Sequence, residues 1–225
     1  MAPGATVSRT TLTAQLVEAM RTDILSGELP PLMRLRAAEI RIRYRVSPTP
    51  FREAIQRLAA DGLVESDPRA GARVAPLTAK ELYDTYQVRL LLEPVALKLS
   101  MRSATDEWRQ SLTSAIEALR KVERGGSSRS RSEAFVPAHR RFHALLFEAC
   151  GSPWLVRFLL VLARHSERYW LAARRRPHRL PSLPAHEAIY EAVMIRNEAQ
   201  ALTFLRTHLM ATVEQLGEVL SDPEP

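Results

Sequence analysis

Residues 46–65 read VSPTPFREAIQRLAADGLVE, and this stretch decides the fold. Ser47 carries a hydroxyl that can accept from the free amides of a helix start. Pro48 suits the first helical position, where its missing N–H is not needed. Pro50 still lies in the first turn and removes no intrahelical bond. Phe51, Ile55, Leu58 and Ala59 recur at helical spacing and make one apolar face, and Gly62 ends the helix. Residues 63–66 and 72–75 then read as two short strands, with Asp67-Pro68-Arg69-Ala70-Gly71 as the turn between them.

Upstream, Leu12, Leu16, Val17, Met20, Ile24 and Leu25 share a helix face, which Gly27 and Pro30-Pro31 bring to a stop. A short second helix fits 36–44, with Leu35, Ile40 and Tyr44 turned inward. Three helices followed by a hairpin is the order of a winged helix-turn-helix, expected over residues 1–76. Thr78 with Glu81 forms a capping box that opens a second domain over 77–225. No strand pattern follows. Helices fit 79–102, 106–124, 133–150, 153–173, 185–196 and 197–219. Gly125–Ser132 reads as a polar loop, and Arg174–Pro184, with its three prolines, as a break. The expected fold is mainly α: a winged helix-turn-helix with a small β-hairpin wing, then an all-α antiparallel helical bundle.

The chain's 225 residues suit two domains, and 46% hydrophobic with 25% charged residues is globular composition rather than that of a disordered chain. The one cysteine, Cys150, excludes an internal disulfide framework and fits a reducing compartment. Met1–Thr10 holds no apolar stretch of the kind a secretory leader needs. The most apolar run, Trp154–Ala163, is too short for a bilayer and contains Arg157. A cytoplasmic, nucleoid-associated protein without membrane contact is the expectation. The formal charge is +7, which favours polyanionic partners. It is concentrated in residues 34–57, where seven arginines face only Glu39 and Glu53.

A helix-turn-helix places its second helix in the major groove of double-stranded DNA, and residues at that helix's start reach bases and phosphates. Ser47, Thr49 and Arg52 stand there, Arg36, Arg41, Arg43 and Arg45 lie close by in sequence, and Gly71 and Arg73 occupy the wing. These are the candidate DNA-binding residues. Together, DILSGELPP (23–31), VSPTPFREAIQRLAADGLVE (46–65) and PRAGARVAP (68–76) resemble the GntR family of bacterial regulators, over residues 12–76. The resemblance implies a homodimer bound to a short, roughly palindromic operator, most often as a repressor. The chain departs from the family pattern at informative places. Pro48 replaces the usual arginine, Ala37-Ala38 replace Glu-Arg, Arg45 replaces glycine and Arg41 replaces alanine. The added arginines supply phosphate affinity by counterion release, without restoring base readout.

Of six histidines, His139 and His143 are spaced i, i+4, so they share one helix face. That spacing can place two imidazoles on one metal. His186 and His208 lie on two later helices, and four histidines on three helices can converge in a bundle. The spacing alone leaves ordinary structural histidines as an open alternative. VRLLLEPVALKLS (88–100), HRRFHALLFEACGSP (139–153), AHEAIYEAVMIRNEAQA (185–201) and RTHL (206–209) resemble the FCD effector domain of the FadR subfamily, over about 79–219. The resemblance implies a metal held by His143, His186 and His208, with His139 standing where the family has aspartate. An all-imidazole set suits zinc first, or nickel, iron or copper. A three-histidine site with His139 idle stays open. An open metal position would accept a carboxylate effector. Arg89 either clamps the same carboxylate or pairs with Glu93 one turn on. His178 is read as solvated, His165 as a surface position or alternatively a pocket-lining one, and Tyr169 and Trp170 as core or alternatively pocket walls.

Two rival functions were weighed. A zinc hydrolase needs a general base, but His139-Arg140-Arg141-Phe142-His143 has arginine where the glutamate of H-E-x-x-H would stand, and no phosphate-binding or nucleophile-elbow motif occurs. The chain is therefore read as not an enzyme. A regulator-like scaffold with lost or weakened DNA binding is supported by Pro48, Ala37 and Ala38, and opposed by the arginine cluster.

Overall fold

A computed structural model describes residues 12–67, 69–124, 128–173 and 183–221. The chain divides into two compact units between Leu77 and Thr78. The first contains α1 (Leu12–Ser26), α2 (Ala37–Tyr44), α3 (Pro48–Ala60), β1 (Val64–Asp67) and β2 (Gly71–Val74). Its core is one cluster in which Leu16, Val17, Met20 and Ile24 of α1 meet Phe51, Ala54, Ile55 and Leu58 of α3. Ile40 and the loop residues Leu29, Leu35 and Val46 close it. Two polar ties also join α1 to the region of α3: Thr13 donates to Glu53 at 2.8 Å, and Arg21 to Asp61 at 2.6 Å.

Gly27 (φ 75°) and Gly62 (φ 68°) end α1 and α3 in the left-handed region that glycine enters freely. Arg45 does the same work at the end of α2 with φ 53° and ψ 48°. Ser47 stands at the N-cap of α3, but its side chain makes no cap hydrogen bond. Pro50 at N3 offers no amide, so of the two donors a capping hydroxyl can use only that of Thr49 at N2 remains, and Ser47 does not take it.

The hairpin pairs Val64 with Val74 and Asp67 with Gly71, so both strands lie one residue closer to the turn than the pattern suggests. Asp67 Oδ1 accepts from the amides of Arg69 and Ala70, both at 2.7 Å, and draws the turn tight. At the other end, the Leu63 amide is taken by Leu58 O at 2.9 Å to finish α3. A third extended segment, unread in the sequence, flanks the wing. Arg34 bridges Arg73, and Leu35 N donates to Ala72 O at 2.8 Å.

The second unit is built of α4 (Ala79–Arg102), α5 (Asp106–Arg124), α6 (Ser128–Glu148), α7 (Pro153–Ala173), α8 (Leu183–Met194) and α9 (Glu198–Ser221). α4 packs against α6, α7 and α9, while α5 packs against α6 and α8. Thr78 caps α4 by accepting from Glu81 N at 3.2 Å. The reciprocal half of the capping box is absent, because Glu81 turns to Tyr169 Oη at 3.0 Å and the Thr78 amide also donates to Tyr169. Pro94 sits inside α4 and deprives Leu90 of its usual amide partner. The Arg206 guanidinium donates to the Leu90 carbonyl at 3.4 Å instead. α6 begins at Ser128, inside the stretch expected to be a loop. Past the glycine pair no residue forbids a helix until Pro137, which α6 absorbs. Ser152 caps α7 through Leu155 N at 3.3 Å. The buried Cys150 lies between α6 and α7.

A non-glycine residue in the left-handed region gives up about 1–2 kcal/mol, partly offset by the extra freedom glycine has when unfolded. Arg45→Gly is expected to stabilise the first unit by about 1 kcal/mol, read as an upward shift in urea midpoint. A lower midpoint would show that the Arg45 side chain contributes more than its backbone loses.

Candidate metal centre and nucleic-acid interface

In the second unit the i, i+4 spacing on α6 places His139 and His143 side by side, α8 brings His186 and α9 brings His208. One nitrogen from each lies within 4.8 Å of all the others. His143 Nε2 is 3.1 Å from His139 Nε2 and 3.2 Å from His186 Nε2. Zinc binds imidazole nitrogen at 2.0–2.1 Å, which puts neighbouring ligand nitrogens about 3.3 Å apart in a tetrahedron. The two His143 separations are close to that spacing, and the set as a whole, within 4.8 Å, must draw in slightly to share one cation. His143, His186 and His208 are buried and His139 is partly so. Among the described residues, Nδ1 of His143 and Nδ1 of His208 are buried without a hydrogen-bond partner. Burial first, and the neighbouring imidazoles second, hold His143 and His208 well below the usual imidazole range. Both are therefore neutral at pH 7, the state that binds metal. Aromatic rings fix the set: His139 stacks on Phe135 at 5.4 Å and lies 5.1 Å from Trp170.

His139, His143 and His208 border a cavity of about 80 Å³, and His186 stands behind them outside its lining. α4 contributes Tyr86, Arg89 and Glu93, and α7 contributes Leu159, Ser166 and Trp170. Arg89 is 6% exposed; its Nε donates to Glu93 Oε1 at 2.5 Å and its Nη1 to Ser166 Oγ at 3.1 Å. Its guanidinium also lies 4.6 Å over the Tyr86 ring. The helix pair with Glu93 and a position on the cavity wall, held as alternatives in the sequence, thus coexist. Burial pushes the Glu93 carboxyl up from the ordinary range, and Arg89 opposes it. Tyr86 and Glu93 were legible as neighbours of Arg89 on one helix face. Ser166 carried no signal. Trp170 lines the cavity, whereas Tyr169 is core and binds the start of α4. His165 lies outside the cavity lining, 3.6 Å from Glu81. His178 lies outside the described residues.

In the first unit, Ser47, Thr49 and Arg52 are exposed at the start of α3, and Gly71 and Arg73 are exposed on the wing. A groove between them is lined by Arg36, Arg52, Gln56, Asp67 and Gly71. Arg34 and Gln56, which border it, were not among the sequence candidates. The arginines are unequal. Arg43 is held by Asp23 at 2.7 Å, Arg36 by Glu39 at 3.1 Å and Arg73 by Glu65 at 2.6 Å. Arg41 donates to Val46 O at 3.3 Å. Arg45 and Arg52 are exposed and have no ion pair among the described residues. No described helix is long and apolar enough to cross a membrane.

Comparison with known proteins gives one answer for both units. Residues 7–74 match the family described as bacterial regulatory proteins, gntR family, and residues 84–211 match the FCD domain. The chain is 30% identical over 215 residues to the uncharacterized HTH-type transcriptional regulator BphR of Paraburkholderia xenovorans, covering 90% of this chain and 86% of that one. It is 27% identical over 209 residues to the HTH-type transcriptional repressor GlaR of Escherichia coli, covering 90% and 94%. In fold it is similar to a GntR regulator from Rhodococcus sp. RHA1, with TM-score 0.72 and 21% identity over 94% of this chain and 99% of that one.

The depressed histidines give a pH dependence with a definite sign. The unfolded chain takes up protons below about pH 6.5 while buried His143 and His208 do not, so stability rises with pH in that range. The contribution is complete above about pH 6.5 and is lost on acidification, at up to about 1.4 kcal/mol per pH unit for each histidine. Urea midpoints of chelator-treated protein should therefore fall between pH 7.5 and 5.5. A flat profile would show that the cluster is open to water.

Proposed function

The chain belongs to the gntR family of bacterial regulatory proteins and carries an FCD domain, and from this premise we propose that it is an operator-binding repressor that leaves DNA when a small organic acid binds beside a metal held by His139, His143, His186 and His208. DNA-binding transcriptional regulation is the activity of the family. The observation that supports the finer reading is the four-imidazole cluster, three of whose members line the cavity that holds Arg89. Zinc is the ion this donor set suits first, with nickel, iron and copper as alternatives. When bound, the ion supplies positive charge at the cavity floor. Arg89 supplies a second positive group, oriented by Glu93 and Ser166. The walls between them are apolar and exclude water from any acid that enters.

On the DNA side, Ser47, Thr49 and Arg52 enter the major groove, Arg45 and Arg41 meet phosphates, and the wing with Gly71 and Arg73 follows the backbone. A homodimer would match a palindromic operator. An exposed stripe on α4, with Leu91 at 70%, Val95 at 50% and Leu99 at 37% exposure, supports self-association. The effector must bind the DNA-free arrangement better than the DNA-bound one, since equal affinity shifts nothing. Weak base readout is the second reading, favoured by Pro48, Ala37 and Ala38 together with the internal pairing of Arg36, Arg43 and Arg73.

The DNA reading is tested by fluorescence anisotropy on DNA flanking the protein's own gene, with excess competitor DNA. Arg52→Ala should weaken binding about tenfold or more, whereas Arg43→Ala, already neutralised by Asp23, should change it less than about threefold. Equal losses would refute the ranking. Binding erased by competitor for the unaltered protein would favour weak readout.

For the metal, losing a supporting residue costs 10–100-fold in affinity, so removing a ligand should cost at least about 100-fold. His143→Ala is expected to lose zinc and effector response while the metal-free protein still folds. Unchanged zinc content by elemental analysis would refute the assignment.

A further inference from the structure

We infer that Gln56 reads an adenine in each half of the operator and supplies base selectivity that the first turn of α3 lacks. This deepens the DNA-binding reading above and rests on it. Phe51, Ala54, Ile55 and Leu58 bury one face of α3. At 3.6 residues per turn, Thr49, Glu53, Gln56 and Ala60 fall within about 30° of the line opposite that face. All of them are exposed. This is the strip that a recognition helix turns toward base edges in the major groove. Arg52 and Arg57, also exposed, flank it at about 70° on either side, where the phosphates of the groove walls lie.

Few of these side chains can tell bases apart. Pro48 and Pro50 in the first turn carry no polar side-chain atom. Ser47 and Thr49 offer hydroxyls, which donate or accept and so suit any base pair. Ala60 is apolar. Glu53 is drawn toward α1, where its Oε2 accepts from Thr13 at 2.8 Å. Gln56 offers a donor and an acceptor side by side, and its side-chain amide has no partner among the described residues. Adenine presents the complement, with N7 accepting and N6 donating. A phosphate contact is the other use of an exposed amide, and the surroundings oppose it. Gln56 borders the groove toward the wing, and Asp67 lines the same groove. Bonds from the Ala70 and Arg69 amides hold the Asp67 carboxyl below its ordinary range, so it is anionic and repels a phosphate there. Gln56 lies about 10 Å along the helix axis from Thr49, so the base it meets is roughly three steps away from those near Thr49.

The full chain, unaltered and with Gln56→Ala, would select sites from a random duplex library. Fluorescence anisotropy would then compare base pairs at each position of the enriched site. The unaltered chain is expected to prefer adenine about tenfold or more at one position in each half. Gln56→Ala, a change on the exposed face away from the core, should reduce that preference below about threefold. Selectivity elsewhere and the salt dependence should stay as they were, since no phosphate contact is lost. Gln56→Glu, which only accepts, should turn the preference toward cytosine. An adenine preference that survives Gln56→Ala would overturn the role of Gln56 and leave operator binding standing. So would an enriched site with no adenine-selective position, or a loss spread evenly over all sequences with a shallower salt dependence. If the unaltered chain enriches no site, the operator reading and the role of Gln56 both fall.

Discussion

Four imidazoles turned toward one another inside a helical bundle are the constraint around which the second unit is organised. Their nitrogens lie too close to all carry protons, and burial removes the water that would screen them. At 3.1–3.2 Å the contacts of His143 Nε2 with His139 and His186 suit either ring N–H groups donated between neutral tautomers or a common cation. The bundle spends a good deal of its packing on holding this arrangement. Phe135, Phe142 and Trp170 surround the rings, and α6, α8 and α9 must keep their register for the nitrogens to meet.

Charge in the first unit behaves differently after folding from its tally along the chain. Residues 34–57 carry a local excess of arginine, yet the fold brings Asp23 and Glu28 from outside that window onto Arg43. Tyr44 joins the same cluster by donating to Asp23 at 2.5 Å. These residues lock α2 against α1 more than they project positive potential. Arg45 and Arg52 keep theirs. The field offered to a polyanion is therefore narrower than composition implies, and it centres on the start of α3.

The elements were legible wherever a local signal existed. Gly27, Gly62 and the Thr78 cap marked boundaries correctly, and the i, i+4 histidines announced their shared face. What escaped required partners distant in sequence. The strand segment at Arg34 exists only because β2 lies beside it. The start of α6 was misread because a serine- and arginine-rich stretch has loop composition but no helix breaker. Ser47 makes no hydroxyl cap, and Pro50 three residues on removes one of the two amides such a cap can use. Among the site residues, convergence of the four histidines followed from family resemblance more than from spacing. Ser166, reached from α7 across the bundle, had no sequence signal.

The cavity and the beginning of the second unit share the same two helices. α4 starts at Ala79, one residue beyond its Thr78 cap, and presents Tyr86, Arg89 and Glu93 to the cavity within four turns. α7 presents Ser166 and Trp170 to that cavity, and between them Arg168 and Tyr169 are buried. The Tyr169 hydroxyl takes the Thr78 amide and donates to Glu81, so α7 holds the cap from which α4 departs. Arg89 on α4 also donates to Ser166 on α7, so the proposed acid would loosen the tie between these helices if it drew Arg89 away. Rigid helices carry such a change along their length, and here that length ends at the residue where the chain leaves the winged unit. If an acid binds this cavity as proposed, its coupling to DNA affinity needs no long relay of side chains, only two arrangements of α4 against α7 that the acid and the operator favour differently.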